Sequence, residues 1–339
     1  MGKVIGVVKF AKGYRVGGPA PSIPQFTLLR ALASAASQVS ASGLLKEILS
    51  GNVFSTDVLP AVEASGCLKA LLPLPRALAK ACEALVGFRP SFATASFMSS
   101  LARACTSAGR ASVLRCLEEA VKDERVAEGA KEVLGEAEPV ILARGDEYKA
   151  LGRNALEPPV ASAFEQHNTI DRVTGAASPY TLVAARPRHP MAVALQVPDG
   201  LEKEVAGALE LLGEMGIGGA RSRGWGRFEV LGSVRLCDED LRALESAIPI
   251  TGAGGGRAYA LLGELRLSDA VVKALDLRSS APEPREIYGL APPAIPFSFA
   301  ALAAGSLVRV VGRLRPQDLV YVLGEGSAFP FTALAMGGA

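Results

Sequence analysis

Histidine, tryptophan and paired cysteine are what this sequence has least of, with 2 His, 1 Trp and 5 Cys among 339 residues. The cysteines, at positions 67, 82, 105, 116 and 237, form no C-x-x-C pair, which argues against structural zinc. Their odd number fits a reducing compartment better than a disulfide framework. No uninterrupted apolar run approaches the ~20 residues that a bilayer-crossing helix needs. The N-terminal run Lys3-Val4-Ile5-Gly6-Val7-Val8-Lys9-Phe10 is punctuated by charge, unlike a signal peptide. A cytoplasmic protein without membrane contact is expected. Charge of one sign is also lacking: 36 Lys and Arg stand against 34 Asp and Glu, a net +2. Any contact with nucleic acid must therefore come from local clusters.

One such cluster is present. Residues 216–227, Gly-Ile-Gly-Gly-Ala-Arg-Ser-Arg-Gly-Trp-Gly-Arg, hold five glycines and three arginines between an amphipathic run and an alternating run. The pattern reads as helix, cationic glycine loop, strand. Glycines (216, 218, 219, 224 and 226) let backbone amides approach a phosphate, and Arg221, Arg223 and Arg227 offer planar charged forks. Ser222 adds a hydroxyl, and Trp225 an indole that can stack on a base. The plainer reading is a tight turn whose arginines are merely exposed; three arginines beside a tryptophan shift the balance toward nucleic acid. A dinucleotide fingerprint fails on order, because that motif follows a strand and opens a helix.

Residues 3–10 read as a strand, 11–24 as a Gly/Pro loop and Gln25 to Gln38 as a helix. The segment 54–75 is proline-marked and reads as irregular. From 76 to about 150 comes an insertion, helical as far as about Gly135. Tyr180–Arg186 and Met191–Val197 read as a hairpin. Asp199 is placed to cap a helix whose apolar face is Leu201, Val205, Ala208, Leu209, Leu212 and Met215. With Phe228–Leu236 as a last strand, the order becomes β-α-β-β-α-β, the ferredoxin-like arrangement. Residues 251–256 then form a glycine linker to a second α+β unit. The expected architecture is α+β: residues 1–250 carry the insertion and the glycine loop, and 251–339 form a C-terminal domain.

At the glycine loop the chain resembles the RAMP proteins of type III CRISPR-Cas effector complexes. Gln166-His167-Asn168-Thr169-Ile170-Asp171-Arg172-Val173-Thr174-Gly175 is similar to the N-x-I-D-R-x-T-G segment of the subunit that holds the 5′ tag of the guide RNA in Csm (type III-A) complexes. Phe54–Pro60 with Leu74-Pro75 after it, and Val320–Phe329, resemble further blocks of that subunit, with Gln25 standing where the family commonly has an acidic residue. The resemblance implies two ferredoxin-like (RRM-like) domains facing across a cleft. Residues of about 160–180 would form a projecting thumb, with His167, Asn168, Ile170, Asp171, Arg172 and Thr174 against the guide. It further implies a non-catalytic subunit between a large polymerase-like signalling subunit and a backbone RAMP subunit, serving antiviral defence.

Lys12 and Arg15, near Lys9 and Tyr14, either extend an RNA groove or form a solvated strand end. Neither His167 nor His189 is assigned to catalysis. Loop 11–24 has no carboxylate to hold Mg²⁺, and the first helix has no histidine to act as a base. No cofactor or metal is expected. The alternatives are a guide-processing endoribonuclease of the same family and a metabolic α+β enzyme with a phosphate-binding glycine loop.

Overall fold

The computed structural model describes residues 1–16, 20–109, 112–291, 295–322 and 328–337. Residues 323–327 of the 320–329 block lie outside these. The first half runs β1 (Gly2–Phe10), α1 (Gln25–Gln38), α2 (Ser42–Leu49), β2 (Phe54–Ser55), β3 (Leu59–Ala64) and β4 (Cys67–Pro73). The insertion follows as α3 (Arg76–Val86), β5 (Phe92–Thr94), α4 (Ala95–Ser107), α5 (Val113–Asp123), α6 (Val126–Leu134), β6 (Ile141–Leu142) and α7 (Glu147–Leu151). Next come β7 (Val160–Ile170), β8 (Ala177–Pro187), β9 (Met191–Val197), α8 (Glu202–Met215), β10 (Phe228–Leu231) and α9 (Asp238–Ser246).

The main sheet has the order β10-β1-β9-β3-β4-β5-β6, with β2 also on β9. β1 is antiparallel to both β9 and β10, and β9 is antiparallel to β3. With β3 as second strand and β9 as third, this is the 4-1-3-2 order of the ferredoxin-like arrangement. The second strand is thus not the one expected. β8 pairs with β7 over eleven positions, Val160↔Pro187 to Ile170↔Ala177, in a separate two-stranded ribbon. Two prolines in Pro187-Arg188-His189-Pro190 break the ladder, and the chain re-enters the sheet only at Met191. The segment 54–75 is not irregular. Apolar runs around Val62 and Leu71 make it sheet, with Pro60 placed before pairing to β4 begins at Ala61 and Pro73 at the last position of β4.

Period-two alternation divides the burial of β1. Val4 and Val8 face the cluster beneath α1 and α8, whereas Ile5 and Val7 join the larger core on the other face. The helix at 202–215 buries Val205, Ala208, Leu209 and Leu212, the expected face. Its N-cap is Leu201, however, and Asp199 instead pairs with the Met1 amino group at 2.9 Å.

The remaining chain comprises β11 (Ile248–Pro249), β12 (Arg257–Leu261), β13 (Leu265–Arg266), α10 (Asp269–Ala274), β14 (Pro284–Ala291), β15 (Ile295–Leu302), β16 (Leu307–Val310), β17 (Val320–Val322), β18 (Ala328–Pro330) and β19 (Leu334–Gly337). Its principal sheet, β11-β19-β12-β16, is antiparallel throughout. Core residues of the insertion, such as Leu101 and Leu117, share one cluster with Leu261, Val308 and Met336 of this sheet. α4 therefore packs between the halves. The seam is also polar: Gln25 Nε2 donates to the Glu264 carbonyl (2.9 Å), and Asp57 accepts from the Gln25 amide and Ser22 Oγ, both at 2.9 Å.

The expectation of unpaired cysteines is overturned at one place. The Leu68 amide donates to the Arg235 carbonyl and the Cys237 amide to the Leu68 carbonyl. This bridge sets Cys67 and Cys237 5.0 Å apart at Cα, and they form a disulfide. Cys82, Cys105 and Cys116 are free and buried. No described helix is long and apolar enough to cross a membrane.

Candidate nucleic-acid interface

Three segments far apart in sequence are knitted together at the end of β1. Tyr14 and Ala185 exchange backbone hydrogen bonds of 2.9 and 2.8 Å, which ties the first loop to the base of the β7–β8 ribbon. The glycine loop closes onto the same place. Gly226 N–H donates to the Gly13 carbonyl (2.7 Å), Gly219 N–H to the Arg15 carbonyl (2.8 Å) and Ile217 N–H to the Gly226 carbonyl (2.9 Å).

These bonds revise the role of the glycines. A Cβ on Gly226 would lie 2.0 Å from the Ile217 carbonyl oxygen, and one on Gly218 2.3 Å from the Arg15 carbonyl oxygen. Gly216 packs against the backbone of residues 225–227. The glycines at 216, 218 and 226 thus admit neighbouring backbone, and the amides of 219 and 226 are already used. Gly224 differs: its φ of 81° ends the turn Arg221–Arg223, with open space beside it. What the loop offers outward is side chains, since Arg221, Ser222, Arg223 and Arg227 are all exposed.

Trp225 is fully buried, packed with Leu182 and Ala184, so the indole expected to stack on a base is closed off. Its Nε1 donates to Glu165 Oε2 at 3.1 Å, and the Lys12 ammonium sits 4.8 Å from the ring centroid. Glu165 is the hub of this junction. It accepts from Lys12 as well and lies 3.3 Å from His167 Nε2. The hydrogen bond from Lys12, then that from Trp225, holds its carboxyl down to about 2. Lys12 and His167 are therefore drawn into this junction, whereas Arg15 is exposed beside the loop. His167 also lies against Tyr180, ring centroids 5.5 Å apart, and the Arg223 guanidinium stands 5.7 Å from that ring. Glu165 and Tyr180 escaped the sequence reading. Alternation along Ala163, Glu165 and His167 was the available signal, since it places them on one face.

The outer ribbon carries the rest of the expected residues. Asn168, Ile170, Asp171, Arg172 and Thr174 are exposed, with the tip about 20 Å from Glu165 at about 3.3 Å per residue. The turn absorbs two of them. Asp171 Oδ1 accepts from the amides of Val173 (2.7 Å) and Thr174 (3.0 Å), which lowers the carboxyl's pKa, and Thr174 Oγ1 accepts from Ala176 at 3.3 Å. Asn168 and Arg172 are exposed, and among the described residues neither side chain forms an ion pair or hydrogen bond. Apolar side chains stand out beside them: Val173 is 95% exposed, Phe164 68% and Ile170 65%.

Other basic groups divide. Arg76 pairs with Glu283 and Arg188 with Glu157, whereas Arg186 lines a 390 Å³ cavity with Lys12 and Phe10 beside the ribbon base. His189 is half-buried, which lowers its pKa. Among the described residues no group of three or more His, Cys, Asp or Glu is placed to hold a metal ion.

Residues 154–229, which span the ribbon and the glycine loop, match the family model of the RAMP superfamily. No curated protein matches the sequence. Among solved structures, a chain of the Csm3-Csm4 subcomplex in the type III-A CRISPR-Cas interference complex aligns with a TM-score of 0.58 at 13% identity, covering 99% of each chain. A chain of the type III-B Cmr-beta complex bound to cognate target RNA and AMPPnP aligns more loosely, with a TM-score of 0.46, 10% identity and coverage of 90% and 86%. Over the segment that builds this interface the chain thus matches the RAMP superfamily model, and its α+β fold is shared along its length with a chain of the Csm3-Csm4 subcomplex.

Proposed function

We propose that this chain is a non-catalytic RNA-gripping subunit of a type III CRISPR-Cas effector complex. It holds the 5′ tag of a guide RNA and links a large polymerase-like signalling subunit to backbone RAMP subunits. The observation that carries this is the set of exposed guanidiniums at 221, 223 and 227, fixed by a backbone-locked loop at the foot of a solvent-exposed ribbon. Guanidiniums grip phosphate without reading sequence, and the exposed apolar side chains of the ribbon suit insertion between unstacked bases. Asp57, which reaches the end of loop 11–24, is buried and bonded to Ser22 and Gln25, so it supports no metal-assisted cleavage there.

The test is filter binding of guide RNA to Arg221→Ala/Arg223→Ala/Arg227→Ala over a salt series. Loss of three phosphate contacts should weaken binding and flatten the slope of log K against log salt by about 2. Unchanged affinity and slope would refute the grip. The paired His167 and Glu165 favour one second reading, a guide-processing endoribonuclease with His167 as base. Glu165, held near 2, is a poor proton acceptor. Purified protein should leave guide precursor intact, and site-specific cutting abolished by His167→Ala would establish the second reading instead.

A further inference from the structure

A cavity of 510 Å³ lies away from the interface, where the insertion, α9 and the C-terminal sheet meet. Its walls are regular elements. Ser96, Ser99 and Arg103 recur along one face of α4, Arg242 and Ser246 along one face of α9, and Arg257 and Tyr259 along one face of β12. Arg144 and Glu239 complete the charged lining, four guanidiniums to one carboxylate.

That carboxylate is already committed. Glu239 lies 2.6 Å from Arg144 Nη2 and 3.5 Å from Lys69 Nζ. Among the described residues Arg103, Arg242 and Arg257 form no salt bridge: Arg103 donates only to Ser100 Oγ (3.0 Å) and Arg242 only to the Asp238 carbonyl (3.2 Å). Three permanent cations therefore border one void with no ion-pair partner of their own among the described residues, and an entering anion would relieve their mutual repulsion. Ser99 adds a half-buried hydroxyl, and Tyr259 with Ile248 gives one apolar wall.

From this we infer that the cavity is a second anion site, which takes a nucleotide-sized ligand carrying several phosphates. Guanidinium forks match phosphate oxygens, and the volume lies in the range of small-molecule sites. The Tyr259 and Ile248 wall accepts the ligand's apolar part. The phosphates belong either to a free nucleotide or to an RNA strand lying across the mouth. None of the lining residues belongs to the proposed RNA grip, so the two proposals stand or fall separately.

The experiment titrates ATP, inorganic triphosphate and a short single-stranded RNA into the full chain, its Arg103→Ala/Arg242→Ala/Arg257→Ala variant and the Arg221→Ala/Arg223→Ala/Arg227→Ala variant, with melting temperature followed in parallel. The substituted positions are exposed, so all three proteins should fold alike without ligand. The expected result is saturable ATP and triphosphate binding that raises the melting temperature. The cavity variant should bind at least about tenfold more weakly per guanidinium removed, and the loop variant as the parent does. If only RNA binding falls in the cavity variant, the phosphates come from a strand and the site stands. Affinity for every probe unchanged by the cavity substitutions, or no saturable binding of any probe, overturns it.

Discussion

Glu165 decides which groups at the ribbon base remain available to a ligand, because it engages Lys12, His167 and the Trp225 indole at once. With its carboxyl at about 2, below the ordinary value of 4.5, it is ionised throughout the neutral range. A depressed carboxylate contributes stability above its unfolded pKa and loses it as pH falls, so the junction should loosen only in strong acid. The single tryptophan reports on this directly. Its emission should be blue-shifted in the native protein and change little as guide RNA is added, because the ring is fully buried. Strong quenching on titration would show that a base reaches it. Lys69 plays the corresponding part in the core, 2.8 Å from Glu147 and 3.3 Å from Asp240. Burial raises Asp240 to about 7 despite that cation. A raised carboxyl loses stability as pH rises from its unfolded value through its folded one, and removal of the cation makes that loss steeper. Lys69→Met should therefore cost about 3–5 kcal/mol above about pH 8 and clearly less near pH 5 by denaturant titration. An equal loss at both pH values would assign the cost to packing.

At the scale of elements, the glycine loop separates what sequence conveys from what it withholds. Its place after a helix and before a strand was legible from periodicity, as was the buried face of the helix at 202–215. The purpose of the glycines was not, because a glycine packed on backbone and one opened to a phosphate look identical in a sequence. The contrast is measurable. Gly226→Ala puts a Cβ 2.0 Å from the Ile217 carbonyl oxygen at a φ of 80°, whereas Gly224→Ala meets nothing within 4 Å at 81°. The second change should cost about 1 kcal/mol, the left-handed penalty alone, and the first considerably more, with displacement of the arginines and loss of RNA affinity. Comparable losses by thermal melting would mean the loop is not locked as described. The ribbon was legible in part: its polar block stood out, but β8 was assigned to the sheet because a β-prone run does not name its partner.

The whole molecule is held by a seam that no local pattern reveals. Phe54–Pro60, which carried part of the resemblance, lies in this seam. The Ser55 amide donates to the Thr332 carbonyl, and the Asp57 amide to the Leu262 carbonyl at 2.7 Å. Gln25 crosses the same seam to Glu264, which explains why an amide serves at that position: it donates to a carbonyl where a carboxylate would repel. Such roles depend on segments more than 200 residues apart, beyond any spacing rule. The seam also sets a pH response. Burial, then the charge of Asp57, raises Glu264 to about 8 although Arg285 Nη1 lies 2.7 Å from its Oε1. Burial raises Asp57 to about 6. Both carboxyls thus bind protons more tightly folded than unfolded, and stability attributable to them falls as pH climbs from about 4 through 6 to 8. Glu264→Gln removes one of these titrations and leaves Arg285, which is 39% exposed, to water. Its melting temperature should change less with pH between about 5 and 9 than that of the parent, and the two should converge or cross at the alkaline end. Parallel profiles across that range would mean that the seam is not where the protein senses alkali.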